Sequence, residues 1–272
     1  MYKMIAIDLD GTLLDSNKEI SCENRQYIKL ALEKGIKVLI CSGRIYPGAK
    51  IYADQLSIDE PLVVCNGAVI KDLKTGEVLY SNLLSKDDCY AVIEILRNEN
   101  IYFHTYIDDV MYAEKLDYSA LHYMIKSKDL GSDFRIDVKV VGSVCEIIGS
   151  SKVNPAKIVV MSSDLEALAR ARCLVESIKT IEVVKSSHDN FEVLNYGVSK
   201  GKALEIISQG LSLKREEIMA IGDNENDYSM LEYAGFSVAM GNAEESIKDI
   251  CDFVTLSNNE NGVAQVIKKF VL

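Results

Sequence analysis

Two short apolar runs constrain the fold more than any other feature of this sequence. Met4-Ile5-Ala6-Ile7 and Ile218-Met219-Ala220-Ile221 lack the alternation of a half-buried strand, and each ends at once in acid and glycine. Runs of this kind are strands buried on both faces, which belong in a parallel sheet covered by helices. After the first run comes a helical pattern through Ile28, Leu30 and Leu32, stopped at Lys34-Gly35, and then a strand from Ile36 to Cys41. Glycine there suits the left-handed helix end. Strand, helix, strand in this order implies a right-handed βαβ unit. Further strand-like segments are Pro61 to Cys65, a hairpin region around Asn66-Gly67 and Thr75-Gly76 that ends near Tyr80, and Phe236 to Met240. Helices are expected at Lys202 to Ile207 and through Met230-Leu231, and another helix–strand pair closes the chain at Leu272.

The middle of the chain has another rhythm. A helix near Asp88–Asn98 precedes a hairpin, Ile101–Ile107 with Val110–Ala113. Then come a strand Ile158–Met161, a helix near Leu165–Ile178 and a strand Ile181–Val184; Lys126–Asp137 is polar and reads as loop. Segregated strands and helices indicate an α+β insert. The expected organisation is α/β: a Rossmann-like parallel-sheet core split in sequence, residues 1–82 and 189–272, with an α+β domain at 83–188.

Composition narrows the function. Lys+Arg 30 against Asp+Glu 41 leaves a net charge of −11, which argues against a nucleic-acid groove. An anionic ligand is still open, because a metal ion can invert the sign at one site. No apolar stretch approaches the ~20 residues of a membrane helix, and Asp8 and Asp10 interrupt the N-terminus before a signal-peptide core develops. The seven cysteines are dispersed without a C-x-x-C pair, which suits reduced thiols packed as small hydrophobes in the cytoplasm.

The chemistry-bearing residues sit at strand ends, where ligands bind in open parallel sheets. In Asp8-Leu9-Asp10-Gly11-Thr12 the two aspartates lie two apart on an extended chain, so their side chains can converge and call for a cation or a shifted pKa. A calcium loop of the EF-hand type fails, because Leu13 stands where it needs glycine. Gly222-Asp223-Asn224-Glu225-Asn226-Asp227 fails the same test at Tyr228 and Ala234. As a hydrated turn it needs no ligand; beside Asp8, Asp223 would complete an all-oxygen site for magnesium. Ser42-Gly43, followed by Arg44, offers a hydroxyl and backbone N–H groups to phosphate. Ser199-Lys200-Gly201-Lys202 is not a P-loop, since Tyr196 and Ala203 occupy required positions. Lys200 still supplies a point charge, although a lone lysine is usually solvated.

In this order the segments D-x-D-G-T-L (Asp8 to Leu13), Ser-Gly-Arg (Ser42 to Arg44), Gly-Val-Ser-Lys-Gly (Gly197 to Gly201) and G-D-x-x-N-D (Gly222 to Asp227) resemble the motifs of the haloacid dehalogenase superfamily phosphatases. The resemblance is to the Cof-type branch, subfamily IIB, with a C2-type α+β cap; it covers both core segments, while the insert matches only in size and position. It implies Asp8 as nucleophile forming an aspartyl-phosphate, and Asp10 as general acid and base. Mg2+ would be held by Asp8, the Asp10 backbone carbonyl and Asp223. Phosphate would be held by the Leu9 and Gly43 N–H groups, Ser42, Lys200 and Asn226, with Thr12, Asp227 and Arg44 in support. Arg44 would contact substrate or pair with a core carboxylate. The implied function is hydrolysis of a small phosphorylated metabolite. A hexose-phosphate mutase, which needs a second phosphate site in the cap, and a catalytically silent phospho-ligand-binding protein are the alternatives.

Overall fold

The computed structural model describes residues 2–129 and 136–272. The chain divides into two compact units: Met1–Arg44, Ala49–Tyr80 and Ser199–Leu272 form one, and Ser81–Val198 with Ile45–Gly48 forms the other.

The first unit begins with β1 (Met4–Ile7), α1 (Cys22–Glu33), β2 (Lys37–Ile40), α2 (Tyr46–Leu56), β3 (Leu62–Val64), β4 (Val69–Lys71) and β5 (Val78–Ser81). Ser21 caps α1 by accepting a hydrogen bond from the Asn24 N–H at 3.1 Å, and Gly35 ends it at φ +78°, which an L side chain rarely adopts. β3, β4 and β5 make a separate three-stranded sheet, with a 3-10 turn at Cys65–Gly67 joining the antiparallel β3 and β4.

The second unit contains α3 (Lys86–Asn98), β6 (Tyr102–Ile107), β7 (Val110–Ala113), α4 (Tyr118–Asp129), β8 (Asp137–Val140), α5 (Val144–Ser150), β9 (Lys157–Met161), α6 (Leu165–Val175), β10 (Ile181–Val184) and β11 (Asn190–Asn195). Its sheet runs β10-β11-β9-β6-β7-β8. Alternate residues pack one face, Phe103, Ile107, Ile158, Val160, Phe191 and Val193, into a core with Val92 and Leu96 of α3, Ile148 of α5 and Leu168 of α6.

The first unit resumes with α7 (Lys200–Gly210), β12 (Ile218–Gly222), α8 (Tyr228–Tyr233), β13 (Phe236–Ala239), α9 (Glu245–Lys248), β14 (Phe253–Val254) and α10 (Gly262–Phe270). Its main sheet runs β14-β13-β12-β1-β2, with all pairs parallel. β1 is an interior strand between β12 and β2 and is wholly buried, as its unbroken apolar run requires.

Several expectations need correction. The return to the first unit falls at Ser199, not at residue 189, because Asn190–Asn195 pairs between β9 and β10. Part of the expected loop Lys126–Asp137 is regular: α4 continues to Asp129 and β8 begins at Asp137, while 130–135 lie outside the described residues. The chain closes on α10 rather than on a strand. Of the cysteines, Cys41, Cys65 and Cys89 are buried, whereas Cys22 and Cys173 are exposed. Among the described residues no helix is long and apolar enough to cross a membrane.

Candidate active site

β1 and β12 are neighbours in parallel register, Ile7 opposite Ile221, so Asp8 and the Gly222-Asp223 pair leave the sheet side by side. On the other flank Ile7 lies opposite Ile40 of β2, which places Cys41-Ser42 beside Asp8 along the same edge. The Asp8 N–H donates to the Ile221 carbonyl at 3.1 Å, and the Cys41 N–H to the Ile7 carbonyl at 3.0 Å. After Asp8 the chain winds into a tight turn in which the Thr12, Leu13 and Leu14 N–H groups donate to Leu9, Asp8 and Leu9 carbonyls. Gly11 makes that turn at φ +84°. A Cβ there would lie 2.3 Å from Asp223 Oδ2, so only glycine lets the loop approach this carboxylate.

Lys200 is the hub. It is 0% exposed, and its Nζ donates to Asp8 Oδ1 and to Asp227 Oδ1, both at 2.6 Å. It opens α7, whose N-cap Ser199 accepts from the Lys202 N–H at 3.1 Å. The solvated lysine that the sequence would ordinarily suggest is thus a fully buried one. Asp227 uses its other oxygen to accept the Asp223 and Asn224 N–H groups at 2.9 and 3.2 Å, which fixes the turn after β12. Thr12 Oγ1 donates to Asp223 Oδ1 at 2.8 Å and ties the two strand-end loops together.

Asp8, Asp223 and Asp227 each offer an oxygen within 4.8 Å of the others. Three buried carboxylates face one ammonium, an excess of negative charge that the local structure leaves uncompensated. Burial pushes Asp8 well above the usual carboxylate range, with the Asp227 charge adding and Lys200 opposing. Asp223 is pushed up to about 7 by burial and then by Asp227. For Lys200, burial favours the neutral amine, but Asp227 and Asp8 outweigh it and raise the pKa. Crowded, buried, all-oxygen donors of this charge fit a hard divalent cation.

The Asp10 side chain does not join this cluster, contrary to the convergence expected from its spacing. It accepts from Arg44 Nε at 2.6 Å and Nη2 at 2.8 Å, and from Lys18 Nζ at 2.8 Å. The turn begun at Gly11 aims it elsewhere, and Arg44 pairs with it. Burial alone would raise its pKa; the Arg44 guanidinium and then Lys18 hold it well below the usual carboxylate range. Tyr52 completes this group: its ring lies 5.0 Å from the Arg44 guanidinium carbon, and its hydroxyl donates to the Lys18 carbonyl at 3.1 Å.

Ser42 is buried, and its Oγ accepts the Arg44 N–H at 3.1 Å. Asn226 Nδ2 donates to Asn66 Oδ1 at 3.0 Å, while the Asn66 N–H donates to the Ser42 carbonyl at 3.0 Å, so Asn66 links these two positions. Asn66, whose place at a strand end allowed either a leaving-group contact or a plain hairpin turn, is thus tied to two of the site positions. Asn242, whose Nδ2 donates to the Gly11 carbonyl at 2.8 Å, lies in Met240-Gly241-Asn242-Ala243, a segment that itself resembles the motifs of the haloacid dehalogenase superfamily; Lys18 and Tyr52 carried no comparable signal.

Known proteins share this architecture across the whole chain. The family described as haloacid dehalogenase-like hydrolase matches residues 5–267. Phosphatase YwpJ of Bacillus subtilis (strain 168) is 32% identical, covering 98% of this chain and 99% of that protein. The 5-amino-6-(5-phospho-D-ribitylamino)uracil phosphatase YwtE of the same organism is 34% identical, with coverages of 99% and 98%. A solved haloacid dehalogenase-like hydrolase from B. subtilis superposes with a TM-score of 0.88 at 31% identity, covering 99% of this chain and 100% of that one. With its strand-end carboxylates, buried lysine and full-length relatives, this chain belongs to the haloacid dehalogenase-like hydrolases.

Proposed function

We propose that this protein is a magnesium-dependent phosphomonoesterase acting on a small phosphorylated metabolite through an aspartyl-phosphate. The observation that carries the reading is the Asp8–Lys200–Asp227 chain of hydrogen bonds at the end of β1, with Asp223 beside it. Two relatives alignable over almost their whole length are named phosphatases, one of them for a phosphorylated ribityl compound, which supports both reaction and substrate class.

In this reading an Asp8 carboxylate oxygen attacks phosphorus, and the bond from phosphorus to the ester oxygen breaks. Asp10 gives its proton to the departing alkoxide. It then takes a proton from the water that attacks the aspartyl-phosphate, releasing inorganic phosphate and restoring Asp8. Lys200, Ser42, Asn226 and the Leu9 and Gly43 N–H groups hold the phosphoryl oxygens and stabilise the charge that develops on them. Asp8, the Asp10 backbone carbonyl and Asp223 would hold magnesium, whose charge offsets the repulsion between carboxylate and phosphate dianion. Thr12 and Asp227 position Asp223 and Lys200, and Arg44 positions Asp10. The inserted unit is read as the cap domain that selects the substrate.

Phosphate release from a panel of phosphorylated metabolites tests this, with magnesium or excess chelator, in wild type and Asp8→Asn. Release that needs both the metal and Asp8 is the expected result. No release from any member would sink the hydrolase reading.

A further inference from the structure

The turn that carries Asp8 is held from outside by three asparagines that the proposed chemistry does not use. Within this turn the Thr12, Leu13 and Leu14 N–H groups are paired internally, but three of its carbonyls face side-chain amides instead. Asn242 Nδ2 donates to the Gly11 carbonyl and Asn258 Nδ2 to the Leu14 carbonyl, both at 2.8 Å, and Asn24 Nδ2 donates to the Leu13 carbonyl at 3.4 Å. Gly11 and Leu14 are thus gripped by residues 231 and 244 positions further along the chain.

The amides are themselves fixed. Asn242 Oδ1 accepts the Asn258 N–H at 2.9 Å, and Oδ1 of the fully buried Asn24 accepts the Ala264 N–H at 2.9 Å. The Gly241 N–H donates to the Leu256 carbonyl at 3.0 Å, and Ser257 Oγ to Glu260 Oε2 at 2.6 Å, which ties the two C-terminal segments together. An amide offers a donor and an acceptor at once, so one side chain grips the turn while the C-terminal segment grips it. An ionised aspartate of the same shape only accepts, and would set its charge against a carbonyl oxygen.

The turn needs this outside constraint at Gly11. Its φ of +84° is open to glycine, but glycine also has the widest backbone freedom of any residue. The Asp10 carbonyl lies on one side of Gly11 and the Thr12 N–H on the other, so rotation there would turn both peptides. We propose that Asn242, with Asn258 and Asn24, is a positioning residue for the reaction: these amides lock the Gly11–Leu14 backbone in one conformation. The lock reaches the chemistry through the Leu13 and Leu14 N–H groups, which hold the Asp8 and Leu9 carbonyls at 3.2 and 2.9 Å. It reaches Asp223 through the Thr12 hydroxyl, at 2.8 Å. That the locked turn serves phosphoryl transfer rests on the phosphatase reading. Asn261 supplies the contrast. Its Nδ2 donates to Glu23 Oε2 on α1 at 2.9 Å, so it anchors the C-terminal segment without gripping the turn.

Asn242 is exposed, so replacing it leaves the core intact. Asn242→Ala removes the whole amide, and Asn242→Asp keeps its shape and the acceptor for the Asn258 N–H but loses the donor. Gly11-Thr12 is the only Gly-Thr pair in the sequence. Carbon-13 on glycine carbonyls and nitrogen-15 on threonine therefore give one NMR signal, from the peptide that Asn242 grips. In the full chain with magnesium, that signal is expected to be single and sharp in wild type, and doubled or exchange-broadened in both variants. Below the unfolding temperature of each protein, kcat on p-nitrophenyl phosphate should fall in both variants by roughly 10–10²-fold, the size of a small misplacement of reacting groups. Asn261→Ala should lower Tm and keep kcat. A signal that stays single and sharp overturns the proposal, and so does wild-type kcat in Asn242→Asp or an equal loss of kcat in Asn261→Ala. The NMR arm needs no turnover: a doubled signal in a chain whose wild type hydrolyses nothing refutes the phosphatase reading and leaves the lock on the turn standing.

Discussion

Arg44 holds Asp10 with a two-point grip, Nε to Oδ2 at 2.6 Å and Nη2 to Oδ1 at 2.8 Å. A planar guanidinium matches a carboxylate in this way, and an ammonium cannot. The Tyr52 ring beneath Arg44 and the Lys18 ammonium on Asp10 Oδ1 complete the enclosure. So held, Asp10 is ionised and suited to accept a proton from water. To donate one to a leaving group it must first loosen from Arg44.

Asp10→Asn is therefore expected to slow release from an alkyl phosphate by roughly 10²–10⁴-fold, the usual size of an acid–base contribution. An aryl ester such as p-nitrophenyl phosphate has a leaving group that needs no proton, so its release should fall far less. Arg44→Ala lets the Asp10 pKa rise, and the acidic limb of the pH–rate profile should move to higher pH. An unmoved limb would show that Asp10 does not set it.

Asp223 gives a linked prediction for pH and metal. Its folded pKa is about 7, against about 3.9 for an unfolded aspartate. Between those values the folded chain keeps a proton that the unfolded chain has released, so stability from this group falls as pH rises through the window. In chelator, wild type should lose stability relative to Asp223→Asn from pH 4 to 7, by on the order of a few kcal/mol. Magnesium should restore it in wild type alone. Denaturant melts of both proteins at several pH values decide this, and parallel curves with and without metal would refute it.

The core of the fold was legible because β1 and β12 are unbroken apolar runs that end in acid and glycine, and that pattern has few other uses. Asp8, Asp223 and Lys200 followed from motif order. The direction of the Asp10 side chain was not legible, since it depends on Lys18 and Tyr52, which no local pattern marks. β11 lies where the sequence suggests the first unit's return, at Asp189 onward. Its alternation Phe191-Glu192-Val193 is a strand pattern, but a glutamate within it reads as solvent-facing, whereas here Glu192 is buried and paired with Lys157.

His104 should make the protein sensitive to acid. Its folded pKa is about 3, below the unfolded value of about 6.5. As pH falls between these values the unfolded chain takes up a proton that the folded one refuses. The stability held above pH 6.5 is thus lost progressively, about 2 kcal/mol of it by pH 5. His104→Gln carries no such proton, so the difference in unfolding free energy between it and wild type should shrink by that amount from pH 7 to 5. A constant difference would place a charged imidazole at this position.

Lys200 separates stability from chemistry. Lys200→Met leaves Asp8 and Asp227 buried without their shared cation, and breaking a buried pair this way costs about 3–5 kcal/mol. Part of that loss is the repulsion between the carboxylates, so neutralising one of them should return some stability. Lys200→Met with Asp227→Asn is accordingly expected to be more stable than Lys200→Met alone, although Asp227 Oδ2 also accepts the Asp223 N–H and its replacement weakens that turn. Phosphate release should stay lost in both, because neither restores the ammonium beside Asp8. A double variant that regains activity would assign Lys200 a purely structural role.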